Sequence, residues 1–284
     1  MREMKAGLIG DGIGPSLTPD IHIREGKALG LQYTYVRFDT SGSETLETAL
    51  RTARTKGYSG LNITHPHKKS VVAHLDRLEG IASEIRTVNT VVFRDGQAIG
   101  WNTDYLGFKR ALAHHIGLIE GQFIHVVGAG GAGLAVVLAL LDSGAARVAI
   151  SDLSTSSAEA LIANVRVIRP QAIVEPVDLA LTPDGVEGII NCTPMGMADH
   201  PGAAVDPTRY HLDAWVADIV YFPQDTLLVQ KARNAGMRVM DGSGMALWQA
   251  VEAFQLITGH KPDALRMQAS LQALLAGRKE IAAQ

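Results

Sequence analysis

The chain has 284 residues and a net charge of −3, and 46% of its residues are hydrophobic and 19% are charged. It is long enough for one large or two modest domains with a sizeable core, and its charge gives no electrostatic reason to expect a nucleic acid or an anionic membrane as a partner. The single cysteine, Cys192, leaves no internal disulfide, and no secretory signal or apolar run of transmembrane length is visible, so we expect a cytoplasmic protein.

Short apolar strands alternate with amphipathic helices nearly throughout the chain, which predicts an α/β architecture with parallel sheets. Thr18 followed by Pro19 is typical of a helix N-cap and the first helical residue. The predicted elements are strands at residues 7–9, 33–38, 60–64 and 88–93, helices at 18–29 and 44–56, a turn at Asp95-Gly96, and a helix after Asp104 with Phe108, Leu112 and Ile116 on one face.

A glycine-rich turn follows an apolar strand in the middle of the chain and precedes an apolar helix. Gly128, Gly130 and Gly133 match G-x-G-x-x-G, in which glycine permits the tight turn, lets a pyrophosphate approach the backbone and lets the helix pack on the strand. The helix N-terminus favours phosphate groups. A second strand, at residues 147–151, ends at Asp152, where an acid accepts both ribose hydroxyls of NAD and repels a 2′-phosphate. A connector without a ligand is the alternative, and the combination of strand, helix and acid favours nucleotide binding.

The later part of the chain predicts further strands of a nucleotide-binding domain and two closing helices. Strands are expected at residues 188–191, 215–220 and 238–240, and helices at 245–258 and 262–275. The first half has its own strands and helices but no second glycine fingerprint, so it is interpreted as a separate substrate domain. The predicted boundaries are a substrate domain at 1–104, a Rossmann domain with a doubly wound parallel sheet at 105–243, and C-terminal helices at 244–284 that pack back on the substrate domain.

Two residues after strands are candidates for proton transfer in a dehydrogenase, which moves a hydride to nicotinamide and a proton to a base. Lys68 follows a strand behind Pro66. It serves if partial burial brings its pKa toward neutral or if its ammonium group hydrogen-bonds the reacting oxygen. Asp104 would contact the substrate hydroxyl and hold Lys68. The alternatives are a solvated loop lysine, such as Lys69, and a helix-capping aspartate.

Asparagines and histidines near other strand ends are further candidates for binding a substrate or a metal ion. Asn62, Asn89 and Asn102 each stand at a strand end, where parallel sheets face their ligand crevice, and an amide both donates to and accepts from polyol hydroxyls. His65 and His67 are spaced two apart with no carboxylate or cysteine at ligand spacing, which is a poor zinc signature. We therefore predict no metal site.

Taken together, these motifs resemble the shikimate/quinate dehydrogenase family. The likeness runs from about residue 7 to about residue 270, and its motifs agree in order and spacing. The segments that carry it are Ser16-Leu17-Thr18-Pro19, residues 62–68, Val88-Asn89-Thr90, Asn102-Thr103-Asp104, residues 128–133, 191–196 and 218–223, and Gln249.

The resemblance implies two α/β domains with a cleft between them and gives roles to individual residues. Lys68 and Asp104 would form the catalytic pair, and the hydroxyls of Ser16 and Thr18 would bind the substrate carboxylate, which replaces the capping role of Thr18. The ring hydroxyls would be held by Asn62, Thr64, Asn89, Asp104 and Gln249, with Tyr221 near the carboxylate. The cofactor would be bound by Gly128, Ala129, Gly130, Gly131, Ala132, Gly133, Asp152, Thr193, Met195, Val220 and Gly242.

Three details refine the resemblance. Ser151-Asp152-Leu153-Ser154 stands where many NADP-dependent members carry Asn-Arg-Thr, so NAD is favoured. Thr18, Glu25-Gly26 and residues 194–202 are similar to the quinate/shikimate branch. Arg86-Thr87 stands where glycine-alanine often precedes the V-N-T segment, which leaves shikimate, quinate and aminoshikimate open as substrates.

The predicted function is an NAD-dependent oxidoreductase that interconverts shikimate and 3-dehydroshikimate, with quinate and 3-dehydroquinate as a close second pair. A quinate- or aminoshikimate-preferring enzyme is the alternative within the family. Ser16, Thr18 and the Asn102-Thr103-Asp104 segment argue against a folate dehydrogenase, and the Lys68–Asp104 pair argues against a nucleotide sensor without turnover. The expected partner is a small cyclic polyol carboxylate, and the expected state is a monomer or homodimer.

Overall fold

The computed structural model describes residues 3–282, which form two compact α/β units. Unit 1 comprises the described residues up to Thr103 and from Leu247 onward, and unit 2 comprises Asp104–Ala246. The strands, in chain order, are β1 (Met4–Gly10), β2 (Tyr33–Asp39), β3 (Gly60–Ile63), β4 (Arg77–Leu78), β5 (Thr90–Arg94), β6 (Gln97–Trp101), β7 (Phe123–Val127), β8 (Arg147–Ser151), β9 (Val174–Pro176), β10 (Gly188–Asn191), β11 (Trp215–Asp218) and β12 (Val239–Met240). The helices are α1 (Thr18–Ala28), α2 (Leu46–Thr55), α3 (Ile81–Ile85), α4 (Thr103–His115), α5 (Gly133–Leu141), α6 (Thr155–Ile168), α7 (Leu227–Asn234), α8 (Gly242–Thr258) and α9 (Ala264–Ala282).

The sheet of unit 1 has the strand order β2-β1-β3-β5-β6-β4 and is mixed. β1 pairs in parallel with β2 and β3, whereas β5 runs antiparallel to both β3 and β6. The prediction of parallel sheets is therefore wrong for the two pairings of β5. The reason is the turn at Asp95 and Gly96, whose φ angles of 53° and 78° suit a two-residue hairpin that returns the chain at once as β6.

The core of unit 1 brings two functionally interesting loops to the same sheet edge. Apolar residues of β1, β3 and α2 pack together, including Ile9, Leu50 and Ile63, each less than a tenth exposed. Ile9 is the register partner of Ile63, so the loops that leave β1 and β3 start side by side. This is where the sequence analysis predicts the carboxylate-binding and lysine-bearing segments.

The C-terminal helix α9 is joined to α1 through a buried carboxylate. Glu25 of α1 is 1% exposed and accepts hydrogen bonds from Arg266 Nε at 2.7 Å, Arg266 Nη2 at 2.6 Å and the backbone N–H of Asp263 at 2.8 Å. A bidentate guanidinium–carboxylate pair fixes geometry as well as charge. Glu25, which the sequence analysis used only as a branch marker, thus holds the closing helix in unit 1.

The neighbouring Gly26 allows α1 to lie close to β2. A Cβ atom at Gly26 would lie 2.7 Å from Tyr33 Cβ and 2.9 Å from Tyr33 Cγ, which forces a backbone shift. We expect Gly26→Ala to lower the free energy of unfolding by about 1–2 kcal/mol, because overpacking outweighs the gain in helix propensity. Gly277→Ala in α9, where a Cβ would have no neighbour within 4 Å, is the matched control and should stabilise slightly. Urea titration measures both, and a stabilised Gly26→Ala would contradict the packing argument.

Unit 2 is built on a sheet with the strand order β12-β11-β10-β7-β8-β9, in which every pairing is parallel. The order reverses between β7 and β10, where doubly wound sheets form their ligand crevice. Helix α5 is apolar on nearly all sides and is almost wholly buried. The predicted Rossmann-type sheet is confirmed, and the short strand β9 was missed by the sequence analysis.

Helix α4 begins earlier than predicted. Its first residue is Thr103, so Asp104 lies in the first helical turn instead of preceding the helix or capping it. The predicted apolar face is confirmed, since Phe108, Leu112 and Ile116 are 0%, 1% and 6% exposed. Among the helices of the described residues, none is both long and apolar enough to cross a lipid bilayer.

Candidate functional site

The loop after β1 and the first residue of α1 carry the two hydroxyls that are predicted to bind a carboxylate. Ser16 Oγ accepts a hydrogen bond from the backbone N–H of Thr18 at 3.4 Å, and Arg37 Nη2 donates to the Ser16 carbonyl at 3.0 Å. Leu17, with φ −87° and ψ −12°, stands at the N-cap of α1 without a side-chain cap, and Thr18 is already helical. The predicted capping role of Thr18 is therefore wrong, and Ser16 and Thr18 lie close together.

Asn62 of β3 is buried and its amide is oriented by two neighbours. Its Oδ1 accepts a hydrogen bond from the Tyr35 hydroxyl at 2.7 Å, and its Nδ2 donates to Thr90 Oγ1 at 3.2 Å. Burial raises the pKa of Tyr35 well above its ordinary value, so the phenol stays a donor. These contacts assign the oxygen and nitrogen positions of the Asn62 side chain.

Asn89 joins the end of the same sheet to the C-terminal part of unit 1. Its Oδ1 accepts from the Thr103 backbone N–H at 2.7 Å and from the Thr103 hydroxyl at 3.1 Å. Its Nδ2 donates to Gln249 Oε1 at 3.4 Å. Two of the predicted polyol-binding residues, Asn89 and Gln249, are thus brought together from positions far apart in the chain.

The loop that bears Lys68 is held by backbone hydrogen bonds on both sides. The Lys68 carbonyl accepts from the Val88 N–H at 2.8 Å, and the Thr64 N–H donates to the Ile9 carbonyl at 2.9 Å. Lys68 itself is half-buried. Lys68 and Thr64 therefore stand in one constrained loop beside the end of β1.

His67 contributes a polar contact in this loop. Its Nε2 lies 2.7 Å from Thr40 Oγ1, while His65 is exposed. Within the described part of the chain, no group of three or more His, Cys, Asp or Glu side chains is arranged to hold a metal ion. The geometry gives His67 a role in joining loops.

Two further predicted members of the substrate site belong to unit 2. Asp104 is 8% exposed in the first turn of α4, and Tyr221 is half-buried just after β11. The pairing of Asp104 with Lys68, and the contact of Tyr221 with a substrate carboxylate, stay predictions.

The glycine turn of unit 2 meets the steric requirements of a dinucleotide loop. Gly128 has φ +105°, and a Cβ there would lie 2.7 Å from Thr193 Cγ2. A Cβ at Gly133 would lie 3.1 Å from the Gly128 carbonyl oxygen, whereas Gly130 and Gly131 have nothing within 4 Å of a Cβ position. The first and third glycines are thus required for packing, and the middle of the loop leaves open space that a pyrophosphate needs.

Asp152 follows β8 and lies beside the start of this turn. Its Oδ2 accepts from the Ala129 N–H at 2.8 Å, and its Oδ1 accepts from the Ser154 N–H at 2.8 Å. The carboxylate is therefore fixed between the end of β8 and the glycine loop. This is the position at which an acid contacts the ribose of a dinucleotide.

The remaining predicted cofactor residues lie at the carboxyl ends of neighbouring strands. Thr193 packs against Gly128, and its hydroxyl accepts from the Met195 N–H at 3.1 Å. A Cβ at Gly242 would lie 2.3 Å from the Val220 carbonyl oxygen, so these two backbones are in close contact. Ala132 stands at the N-cap of α5.

Known proteins resemble the chain over nearly its whole length. A family model described as the shikimate dehydrogenase substrate binding domain matches residues 8–91, and one described as the shikimate 5'-dehydrogenase C-terminal domain matches residues 242–272. The shikimate dehydrogenase (NADP(+)) of Pseudarthrobacter chlorophenolicus is 44% identical over 98% of this chain and 97% of its own length. The chain belongs to the shikimate dehydrogenase family.

Relatives in the shikimate dehydrogenase family differ in the cofactor that is given in their names. The quinate/shikimate dehydrogenase (NAD(+)) of Corynebacterium glutamicum strain R is 41% identical over 94% of this chain and 98% of its own length. The solved structure of quinate dehydrogenase from Corynebacterium glutamicum in complex with NAD has a TM-score of 0.91 and 38% identity, and covers 95% of this chain and 99% of that one. The family resemblance and the two-domain α/β fold are confirmed, and a nicotinamide cofactor is supported.

Several residues near these candidate side chains were given no role from the sequence, although Thr103 and Asp218 lie in two of its motifs. Tyr35 and Thr103 orient the asparagine amides, and neither belongs to a motif whose spacing signals that contact. Asp218 and Thr226 are buried near the proposed cofactor residues. Asp218 follows three apolar residues of a buried strand, and a carboxylate in that position was the available signal.

Proposed function

We propose that this family member oxidises the ring hydroxyl of shikimate to the ketone of 3-dehydroshikimate with NAD, and that quinate is its second substrate. The observation that carries the cofactor choice is the fixed carboxylate of Asp152 beside Ala129. Two hydroxyls of an adenosine ribose satisfy such a carboxylate, whereas a 2′-phosphate meets a like charge. The segment Ser151-Asp152-Leu153-Ser154 also contains no cation to offset that charge.

The substrate class follows from the chemistry of the loops in unit 1. Ser16 and Thr18 offer hydroxyl donors for a carboxylate, and their loop is approached by the guanidinium of Arg37. The amides of Asn62 and Asn89 are fixed in orientation by their protein partners, and an amide group can both donate to and accept from a hydroxyl. A ring that carries several hydroxyls and one carboxylate suits this combination.

Quinate is proposed as the second substrate because the chain is similar to a solved quinate dehydrogenase. The Corynebacterium structure with the TM-score of 0.91 is a quinate dehydrogenase with NAD, the same cofactor as proposed here. Quinate and shikimate share the carboxylate and the ring hydroxyls that Ser16, Thr18 and the asparagines would bind. Arg86, with φ 52°, is exposed before the V-N-T segment and is the residue whose replacement should shift the ratio of the two activities.

In the proposed reaction, Lys68 and Asp104 handle the proton of the substrate hydroxyl. NAD supplies the hydride acceptor when it is bound. Lys68, whose carbonyl accepts a hydrogen bond from the Val88 N–H, would take up the hydroxyl proton on its neutral amine as the ketone forms, and the resulting ammonium group would then donate to the ketone oxygen. Asp104 would stabilise the ammonium group that Lys68 then carries and orient it toward the substrate oxygen.

Steady-state kinetics with both polyols against both cofactors test this function. We expect kcat/KM to be higher with NAD than with NADP by about tenfold or more, which corresponds to about 1.4 kcal/mol. Shikimate should be oxidised at least as efficiently as quinate. A clear preference for NADP would overturn the interpretation of Asp152, and absence of turnover with either polyol would overturn the substrate proposal.

Replacing Asp152 tests the charge argument directly. Asp152→Ser should raise the NADP-to-NAD ratio of kcat/KM by about tenfold or more, since the repulsion of the 2′-phosphate and the acceptor for the ribose hydroxyls are both removed. Asp213→Asn is a matched control, because Asp213 carries the same charge in unit 2 on a side chain that is 95% exposed. The ratio should not change in the control, and an unchanged ratio in Asp152→Ser would assign cofactor choice to another residue.

A further inference from the structure

We propose that Asp218 is a positioning residue of the cofactor site, which fixes the loops after β10 and β11 through Asn191 and Thr226. This inference rests on the proposed function, since these loops carry Thr193, Met195 and Val220, which are proposed cofactor residues. Neither Asp218 nor its two partners had been given a role by the motifs of the sequence. All of these residues belong to unit 2.

Asp218 is a fully buried carboxylate that accepts hydrogen bonds on both oxygens. It is the last residue of β11 and is 0% exposed. Its Oδ1 accepts from the Val220 backbone N–H at 2.9 Å and from Asn191 Nδ2 at 2.9 Å. Its Oδ2 accepts from the Thr226 hydroxyl at 2.7 Å. The carboxylate therefore sets the path of the chain as it leaves β11.

Asn191 extends this arrangement to the neighbouring strand end. It is the last residue of β10 and the register partner of Asp218. Its Oδ1 accepts from the Thr193 N–H at 3.0 Å and from the Thr193 hydroxyl at 2.6 Å, and its Nδ2 also donates to the Met195 carbonyl at 3.0 Å. One amide thus shapes the loop after β10 and connects it to Asp218.

Thr226 completes the cluster from a third element. Its hydroxyl caps α7 by accepting from the Val229 N–H at 3.2 Å while it donates to Asp218. Gly196 has φ +103°, and a Cβ there would lie 2.9 Å from Thr226 Cβ. The loop after β10 is therefore packed directly on Thr226 as well as bonded through Asn191.

An aspartate at position 218 indicates a role in orienting the loops after β10 and β11, and not a role in stabilising the fold. Three neutral donors converge on this side chain, and only a carboxylate accepts on both oxygens. Desolvation raises the pKa of Asp218 to about 6, and the bonds from Thr226, Val220 and Asn191 oppose that effect only in part. A buried charge that is costly to keep is explained if the loops must be held in one geometry to receive the cofactor.

The test compares cofactor binding in Asp218→Asn, Thr226→Val and the conservative Thr226→Ser. Asparagine turns an NH₂ group toward one of the three donors, so we expect the dissociation constants of NADH and NADPH, measured by fluorescence, to rise together by about 10- to 100-fold. The KM of shikimate should change by less than about twofold. Thr226→Val should show the same pattern with a smaller rise, and Thr226→Ser should restore affinity.

The outcomes separate a positioning role from a structural one and from failure of the proposed function. Folding is checked by circular dichroism and thermal unfolding, and Thr226→Val provides the test if Asp218→Asn does not fold. Lower melting temperatures with unchanged NADH affinity would overturn the positioning role. NADH binding is measured without substrate, so a wild-type protein that binds NADH but does not oxidise shikimate would contradict the proposed substrate and leave this inference standing.

Discussion

Lys68→Ala is expected to lower turnover of shikimate by about 10²- to 10⁴-fold while shikimate still binds with nearly unchanged affinity. The lysine loop is held by backbone bonds, including the Lys68 carbonyl with the Val88 N–H, and these survive removal of the side chain. The loss should therefore fall on the proton-transfer step. Turnover is measured with NAD at saturating shikimate, and shikimate affinity by calorimetry.

Lys69→Ala is the matched control for this substitution, because Lys69 is adjacent, exposed and of the same charge. It should retain turnover within about twofold of the wild type, in line with the small effect of most surface substitutions. Added small primary amines should restore part of the activity of Lys68→Ala and none in a variant that is merely misfolded. A Lys68→Ala enzyme that keeps its turnover would remove Lys68 from the mechanism.

The parts of the fold that were predictable are those encoded within a few residues. The strand, glycine turn and helix around Gly128 are specified by local pattern, and the structure supplies the steric reasons in Thr193 and the Gly128 carbonyl. The turn at Asp95-Gly96 was also visible, but its consequence for strand direction was missed. The error at Thr18 has a local cause, since Leu17 already adopts helical angles and leaves no capping position for Thr18.

The contacts that orient the site could not be predicted because they join distant residues. Tyr35 reaches Asn62 across 27 residues of sequence, and Asn89 reaches Gln249 across 160. Neither partner has a spacing that signals the other, and only the folded chain brings them together. Sequence motifs thus predicted the candidate side chains, whereas the groups that hold those side chains in place required the structure.

Acidification is expected to weaken both units through two buried histidines. His22 in unit 1 and His125 in unit 2 are each 0% exposed. Burial lowers the pKa of His22 to about 3, with the Ala250 backbone opposing the shift, and lowers the pKa of His125 to about 4, from an ordinary 6.5. His125 lies between Tyr210 and Ser151, with hydrogen bonds of 2.7 and 2.8 Å, and His22 lies 3.1 Å from the Tyr33 hydroxyl.

The direction of the pH effect on stability depends on whether the folded or the unfolded state binds the proton. Below pH 6.5 the unfolded chain protonates these histidines while the folded protein does not, so their stabilisation is present above pH 6.5 and is lost as the pH falls toward 4 and 3. At about 1.4 kcal/mol for each pKa unit, the full loss is about 3 kcal/mol for His125 and about 5 kcal/mol for His22. Asp218 acts in the opposite direction, because its pKa is raised from 3.8 to about 6 and its contribution to stability grows as the pH falls through that window.

Denaturant titrations from pH 7.5 down to pH 4.5 isolate the histidine contributions. His125→Gln and His22→Gln should each lower the free energy of unfolding at neutral pH. Between pH 7.5 and pH 4.5, however, that free energy should fall less in each variant than in the wild type, by up to about 3 kcal/mol. His211→Gln is the control, because the His211 side chain is 77% exposed and its substitution should leave the slope unchanged. If His125→Gln and His22→Gln lose stability with pH as steeply as the wild type, the acid sensitivity of the two units lies in other groups. If they do not, each α/β unit carries its own buried neutral histidine as a determinant of the pH range in which it stays folded.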